Sequence, residues 1–123
     1  MKKILLVDDD VIMSSTLAYN LEQSGFEVVK ASDGEEGLKL AIEKKPDLIL
    51  LDILLPKMDG ITLIKKIRED AWGKKASIIV LTNLSSPENI AEATEWTKDY
   101  LIKSDWKIED LIRHVKNKLE GKK

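Results

Sequence analysis

Lys45-Pro46-Asp47-Leu48-Ile49-Leu50-Leu51-Asp52 is the stretch on which the fold turns. Leu48–Leu51 is an unbroken apolar run with no polar alternation, so neither of its faces can lie in water. A run this short, closed by Pro46 on one side and Asp52 on the other, reads as a strand covered on both faces, as in the interior of a parallel sheet. Pro46 also biases Lys45 away from helix, which separates the strand from whatever precedes it.

On either side of it, Ile4–Val7 and Ile78–Leu81 repeat the pattern. Phe26–Val29 and Tyr100–Ile102 are weaker runs that suit edge positions. Between the runs, apolar residues recur at helical spacing, most clearly Ile108, Leu111, Ile112, Val115 and Leu119. Ser32-Asp33-Gly34-Glu35 carries the serine-to-glutamate spacing of a capping box for a second helix. Ser86-Pro87 opens a fourth, and Gly25 closes the first. The unit βα therefore repeats five times. Parallel strands need crossover connections, and these place helices on both faces of the sheet. The expected fold is a doubly wound five-stranded parallel sheet in an α/β three-layer sandwich. In such sheets ligands bind beyond the carboxyl ends of the strands.

Composition bounds the function. The 123 residues fit a single domain, 1–123, and 43% hydrophobic with 34% charged residues describes a globular chain. A net charge of −2 gives no case for nucleic-acid binding. Lys116, Lys118, Lys122 and Lys123 read as a solvated basic tail. With no cysteine, disulfides, thiolate catalysis and cysteine-ligated zinc are excluded. Ile4–Val7 is too short for a signal-peptide core and no segment is long enough to span a bilayer, so a cytoplasmic location is expected.

The strand ends gather unusual chemistry. Asp8-Asp9-Asp10 follows the first strand, Asp52 the third, Thr82 the fourth and Lys103 the fifth. Carboxylates collected in one cleft must protonate or take a cation. An all-oxygen donor set without histidine or cysteine favours a hard divalent ion such as Mg²⁺. A lysine and a threonine nearby could hold phosphoryl oxygens, with a carboxylate placed as nucleophile.

Val7-Asp8-Asp9, Leu51-Asp52-Ile53-Leu54-Leu55-Pro56-Lys57-Met58-Asp59-Gly60, Leu81-Thr82 and Asp99-Tyr100-Leu101-Ile102-Lys103 together resemble the receiver domain of two-component response regulators, of the chemotaxis-regulator type. The resemblance covers essentially the whole chain and implies a flavodoxin-like (βα)5 fold. It implies a phosphorelay module rather than an enzyme acting on external substrates. Asp52 would be the phosphoacceptor. Asp9 and Asp52 would ligate Mg²⁺ (Mn²⁺ could substitute), with Asp8 held through water and the Leu54 backbone carbonyl completing the set. Lys103 would pair with Asp52 and then with the phosphoryl group, while Thr82 turns towards that group and Tyr100 moves inward. The surface of the fourth helix, fifth strand and fifth helix would change for a downstream target or output domain. Expected partners are a histidine kinase or histidine phosphotransfer protein, with homodimer formation on phosphorylation open, and no nucleic acid or membrane.

Four positions depart from the family. Ser104 stands where a proline on a cis bond usually follows the lysine; a cis bond before serine would cost about 2.5–4 kcal/mol, so a trans link is expected. Asn83 replaces a small residue, either narrowing the path to the phosphoryl group or bonding to it. Leu54 and Leu84 would flank the line of water attack and cannot orient water, which implies a slowly hydrolysing aspartyl phosphate. Trp96-Thr97 replaces a small pair before the fifth strand.

Plainer readings stand beside these. Asp10 suits a helix cap, a role open to Asp8 and Asp9 as well. Thr82 could be an ordinary strand end, Lys103 a routine ion pair, and Tyr100 half-buried packing with its hydroxyl in water. Trp96 and Trp106 divide between packing and partner contact, Trp72 reads as packing, and His114 as solvent-facing. Competing functions are a small aspartyl-phosphate phosphatase, a flavodoxin-like binding module and a receiver-like interaction module that no longer uses phosphorylation. The first would need a cap domain and the second a Ser/Thr/Gly-rich loop where Asp8-Asp9-Asp10 stands. No G-x-x-x-x-G-K-[ST] supports a P-loop.

Overall fold

The computed structural model describes residues 1–120, so Lys122 and Lys123 of the expected basic tail lie outside the described residues. Five strands alternate with five helices: β1 (Lys3–Val7), α1 (Val11–Gln23), β2 (Glu27–Ala31), α2 (Gly34–Lys44), β3 (Leu48–Leu51), α3 (Gly60–Glu69), β4 (Ile78–Thr82), α4 (Pro87–Thr94), β5 (Asp99–Ile102) and α5 (Ile108–Glu120). The strands form one parallel sheet in the order β2-β1-β3-β4-β5. The continuous apolar runs occupy the centre and the weaker runs the edges, as their hydrophobicity dictates.

Alternation hidden inside those runs sorts the core into two layers. Leu5, Val7, Ile49, Leu51, Ile78 and Val80 pack with Ala41 of α2, Leu63, Ile64 and Ile67 of α3 and Ala93 of α4. Ile4, Leu6, Leu48, Leu50, Ile79 and Leu81 pack on the other face with Leu17 and Leu21 of α1 and Leu111 and Val115 of α5. Trp72 and Trp106 rest against these layers, Trp72 as expected.

Caps fix the helix starts. Asp10, Asp33, Asp59 and Ser86 accept from the N–H three residues on, in Met13, Glu36, Thr62 and Asn89. The box expected from Ser32 to Glu35 lies one residue later: Asp33 caps α2, and Glu36 reaches back to the Ser32 N–H at 2.9 Å. Both side chains can cap, and the turn favours the aspartate that faces Glu36. The β2 run also starts later than expected, since Phe26 is buried ahead of the strand rather than in it. The expected tail also differs, because Lys118 pairs with Asp99 at 2.7 Å on α5. His114 is half-buried, its Nε2 3.2 Å from Asp99 and its ring tilted against Trp106, and does not simply face solvent.

Two glycines permit the close approach of the β3–α3 connection. A Cβ on Gly60 would collide with the Asp52 carbonyl, and one on Gly34 with the Met58 carbonyl. The start of α3 is thereby pressed against the end of β3, which sets where Asp52 sits.

Candidate functional site

Asp8 and Asp52 are delivered by backbone bonds that continue the ladder one step past their strands. The Asp8 N–H donates to the Ala31 carbonyl at 3.1 Å, and the Asp52 N–H to the Val7 carbonyl at 3.0 Å. This brings Asp8 and Asp52 side by side, both buried at 6% and 7% exposure, while Asp9 stays exposed. Carboxylate oxygens of Asp8, Asp9 and Asp52 all lie within 4.8 Å of one another.

Lys103 begins a 3₁₀ turn (Lys103–Asp105) directly after β5. Its Nζ lies 2.8 Å from Asp8 Oδ2 and 2.9 Å from Asp52 Oδ2. Burial alone would lower the ammonium pKa, but hydrogen bonds and charge from Asp8 and Asp52 outweigh it and hold the pKa above its ordinary value. The remaining carboxylate oxygens take backbone donors: Asp8 Oδ1 from the Asp10 N–H at 3.0 Å, and Asp52 Oδ1 from the Leu54 N–H at 3.2 Å. Three carboxylates against one ammonium leave two negative charges in a cleft of oxygen donors, which is the charge and donor set a divalent hard cation fits.

Thr82 ends β4 and is fully buried, its Oγ1 accepting weakly from the Leu84 N–H at 3.4 Å. Tyr100 is half-buried on β5, and its hydroxyl donates to the Leu84 carbonyl at 2.7 Å rather than to water. Burial first, and the Asp52 charge second, push its pKa up. Leu54 is 61% exposed beside Asp52, whereas Leu84 packs on the core.

The structure brings together Asp8, Asp9, Asp52 and Lys103 as their strand-end positions imply. Two features were not legible. Lys103 holds Asp8 as well as Asp52, which depends on the register of three strands. Asn83 does not bond into the site: its Oδ1 accepts from the Ser104 N–H at 3.1 Å. All described peptide bonds are trans, the Lys103–Ser104 link included. Thr97 is buried and its Oγ1 donates to the Ile78 carbonyl at 2.6 Å. Trp96 lies at the surface with Lys65 Nζ 5.9 Å from its ring centroid. No helix among the described residues is long and apolar enough to cross a membrane.

Comparison with known proteins gives a consistent answer. Residues 4–116 match the response regulator receiver domain family. Among curated relatives, the alkaline phosphatase synthesis transcriptional regulatory protein PhoP of Bacillus subtilis is 57% identical over 55% of this chain and 28% of its own length. The DNA-binding dual master transcriptional regulator RpaA of Synechocystis is 33% identical over 94% of this chain and 48% of its own length. The chain spans about half the length, or less, of the curated relatives it matches. Among solved structures, a CheY-like receiver domain protein from Methanospirillum hungatei superposes with a TM-score of 0.90 at 31% identity, covering 98% of this chain and 95% of that one. A two-component response regulator from Clostridium difficile gives 0.88 at 34% identity, covering 98% and 97%.

Proposed function

The chain belongs to the response regulator receiver domain family, and from that premise we propose that it is a phosphorylation-controlled switch whose acceptor is Asp52. The observation that carries this reading is the placement of Lys103 Nζ between Asp8 and Asp52, 2.8 and 2.9 Å from their Oδ2 atoms. A cation already bridging the acceptor and its neighbour is placed to follow charge from a carboxylate to an arriving phosphoryl group.

An Asp52 carboxylate oxygen attacks phosphorus in line, forming a new O–P bond. The bond to the leaving group breaks, and its electron pair leaves with the imidazole nitrogen of a donor histidine or the acetate of acetyl phosphate. Asp9 and Asp52 would hold Mg²⁺ or Mn²⁺ directly and Asp8 through water, with the Leu54 carbonyl completing the protein ligands, and the ion would supply charge neutralisation for phosphoryl oxygens. Lys103 moves its hydrogen bond from Asp52 to a phosphoryl oxygen. Thr82 turns its hydroxyl towards another, and Tyr100 follows into the space vacated, altering the α4–β5–α5 surface.

A histidine kinase or histidine phosphotransfer protein supplies the phosphoryl group, and a downstream protein, an output domain or a second copy reads the altered face. We assign residues 1–123 to one receiver unit acting in the cytoplasm. It catalyses no reaction beyond its own phosphorylation and dephosphorylation. Leu54 and Leu84 offer water no polar partner, so the aspartyl phosphate should decay slowly.

Intact-protein mass after incubation with acetyl phosphate tests this, with and without Mg²⁺ and with Asp52→Ala alongside. One phosphoryl group is expected, dependent on both Mg²⁺ and Asp52, with slow loss after the donor is removed. No addition to the folded wild-type protein in Mg²⁺ would overturn the reading in favour of a phosphorylation-independent module. Rapid loss would overturn only the role given to Leu54 and Leu84.

A further inference from the structure

Lys103 is the one cation that touches Asp8 and Asp52 among the described residues, and its backbone sits at an abrupt change of structure. β5 ends at Ile102 and the chain enters the 3₁₀ turn Lys103–Asp105 at once. The N–H groups that open a helical turn have no partner within it. Ile102, at the cap position, supplies no side-chain acceptor.

The Ser104 N–H is met instead from the neighbouring strand, by Asn83 Oδ1 at 3.1 Å. Thr82 and Ile102 are partners in the β4–β5 ladder. Asn83 and Lys103 are therefore the next residues along each strand. The Asn83 amide prolongs the ladder by one rung past the last backbone pair, and that rung closes on the residue adjoining Lys103.

Both ends of the rung need particular chemistry. A proline at 104 would have no N–H to give, and a small aliphatic residue at 83 would have no oxygen to receive it. The two departures at these positions are thus one feature, with donor and acceptor present together.

We propose that Asn83 is a positioning residue for phosphoryl transfer. By holding the Ser104 N–H it fixes the Lys103 backbone, keeping Nζ on Asp8 and Asp52, and it ties the Thr82 strand end to the Lys103 turn. Transfer requires Lys103 to pass from a carboxylate to a phosphoryl oxygen over a short distance. A fixed backbone restricts the side chain to that path, and small losses of alignment cost rate. This inference rests on the phosphoacceptor reading of Asp52.

The test compares wild type, Asn83→Ala, Asn83→Asp and Ser104→Ala. The limiting rate of phosphorylation by acetyl phosphate is measured together with hydrogen exchange of the Ser104 amide. Asn83→Ala should lower the limiting rate roughly 3- to 10-fold, the loss expected of a misplaced electrostatic partner rather than a missing one. Its half-saturating Mg²⁺ concentration should stay within about twofold of wild type, because Asn83 touches none of the carboxylates. Its Ser104 amide should exchange faster. Asn83→Asp, which keeps an acceptor oxygen, should restore the exchange protection, and Ser104→Ala, which keeps the N–H, should change neither quantity. A wild-type rate in Asn83→Ala, or unchanged Ser104 exchange, overturns the proposal while leaving Asp52 as acceptor. A wild-type protein that takes no phosphoryl group overturns the acceptor reading and this inference with it.

Discussion

Two partly buried cations sit at opposite ends of the sheet, and they are held in opposite ways. At the carboxyl end, Lys103 lies between two carboxylates, with 10% of its side chain exposed. Beyond the amino ends of β4 and β5, the Arg68 guanidinium is held by neutral groups: Nη1 donates to the Gly73 and Ala76 carbonyls at 2.8 and 2.7 Å, and Nε to the Trp96 carbonyl at 3.0 Å. Burial pulls the Arg68 pKa down with no anion to oppose it, whereas at Lys103 the carboxylates more than reverse the same effect. One cation is bound by charges that a ligand or phosphoryl group can rearrange. The other is bound by backbone that has nowhere to go. A point charge on a flexible stem suits the first task and a planar fork suits the second. One end of the sheet gathers charge against charge, and the other sets a cation against neutral backbone.

The largest effect should come from Lys103→Met. It strands two buried carboxylates without their cation, and breaking a buried pair on one side costs on the order of 3 kcal/mol. Thermal unfolding in a chelator should show that loss. Mg²⁺ should stabilise the variant more than wild type, since a ligand that binds only the folded state adds to its stability. Phosphorylation by acetyl phosphate should fall about 100-fold, as for removal of a donor to developing charge. Equal response of both proteins to Mg²⁺ would break the comparison, because Lys103 and the metal would then not share the same charge.

Arg68→Ala should cost less, about 1–3 kcal/mol for carbonyls left without their donor, and should leave the phosphorylation rate unchanged. Arg68→Lys should recover little, because an ammonium cannot span three carbonyls on two loops. Chemical denaturation together with the acetyl phosphate assay checks both halves. A slowed reaction in Arg68→Ala would show that the fixed end reaches the site after all.

These two ends were unequally legible in the sequence. Asp8, Asp52 and Lys103 stand out because apolar runs rarely end in charge, and a parallel sheet brings such ends to one edge. Arg68 gave no signal: on α3 it is one basic residue among Lys65, Lys66 and Arg68, and its carbonyl partners are backbone atoms that no side chain announces. The strand runs were read correctly as buried on both faces, but which residues faced which layer was hidden, since Leu48 and Ile49 are equally apolar and pack on opposite sides. Local capping rules placed α2 to within a residue and then failed between Ser32 and Asp33, because both can cap and only the turn geometry chooses. Lys118 and His114 were misjudged for a related reason: their partner, Asp99, lies on a strand 15 or more residues away.

The smallest effect lies on α3, the helix that joins the two ends. It starts at Gly60 against the Asp52 carbonyl and carries Arg68 in its last turn. Its cap, Asp59, accepts from the Thr62 N–H at 3.0 Å and the Thr62 hydroxyl at 2.9 Å. Burial alone would raise the Asp59 pKa, but these bonds, with further backbone N–H donors, outweigh it and hold the pKa below the ordinary 3.8. A carboxyl whose pKa is lowered by folding adds stability above its unfolded value and loses it as pH falls through the folded one. Asparagine also caps well, so Asp59→Asn removes the charge and little of the cap; near a helix start that charge is worth about 0.3–1 kcal/mol. The stability gap between wild type and Asp59→Asn should be level at neutral pH and close as the pH drops below about 4. Paired denaturation curves across that range measure it. If the gap persists undiminished in acid, the charge at the start of α3 is not what Asp59 contributes, and the electrostatic character of the carboxyl end of the sheet stops at Asp8, Asp52 and Lys103.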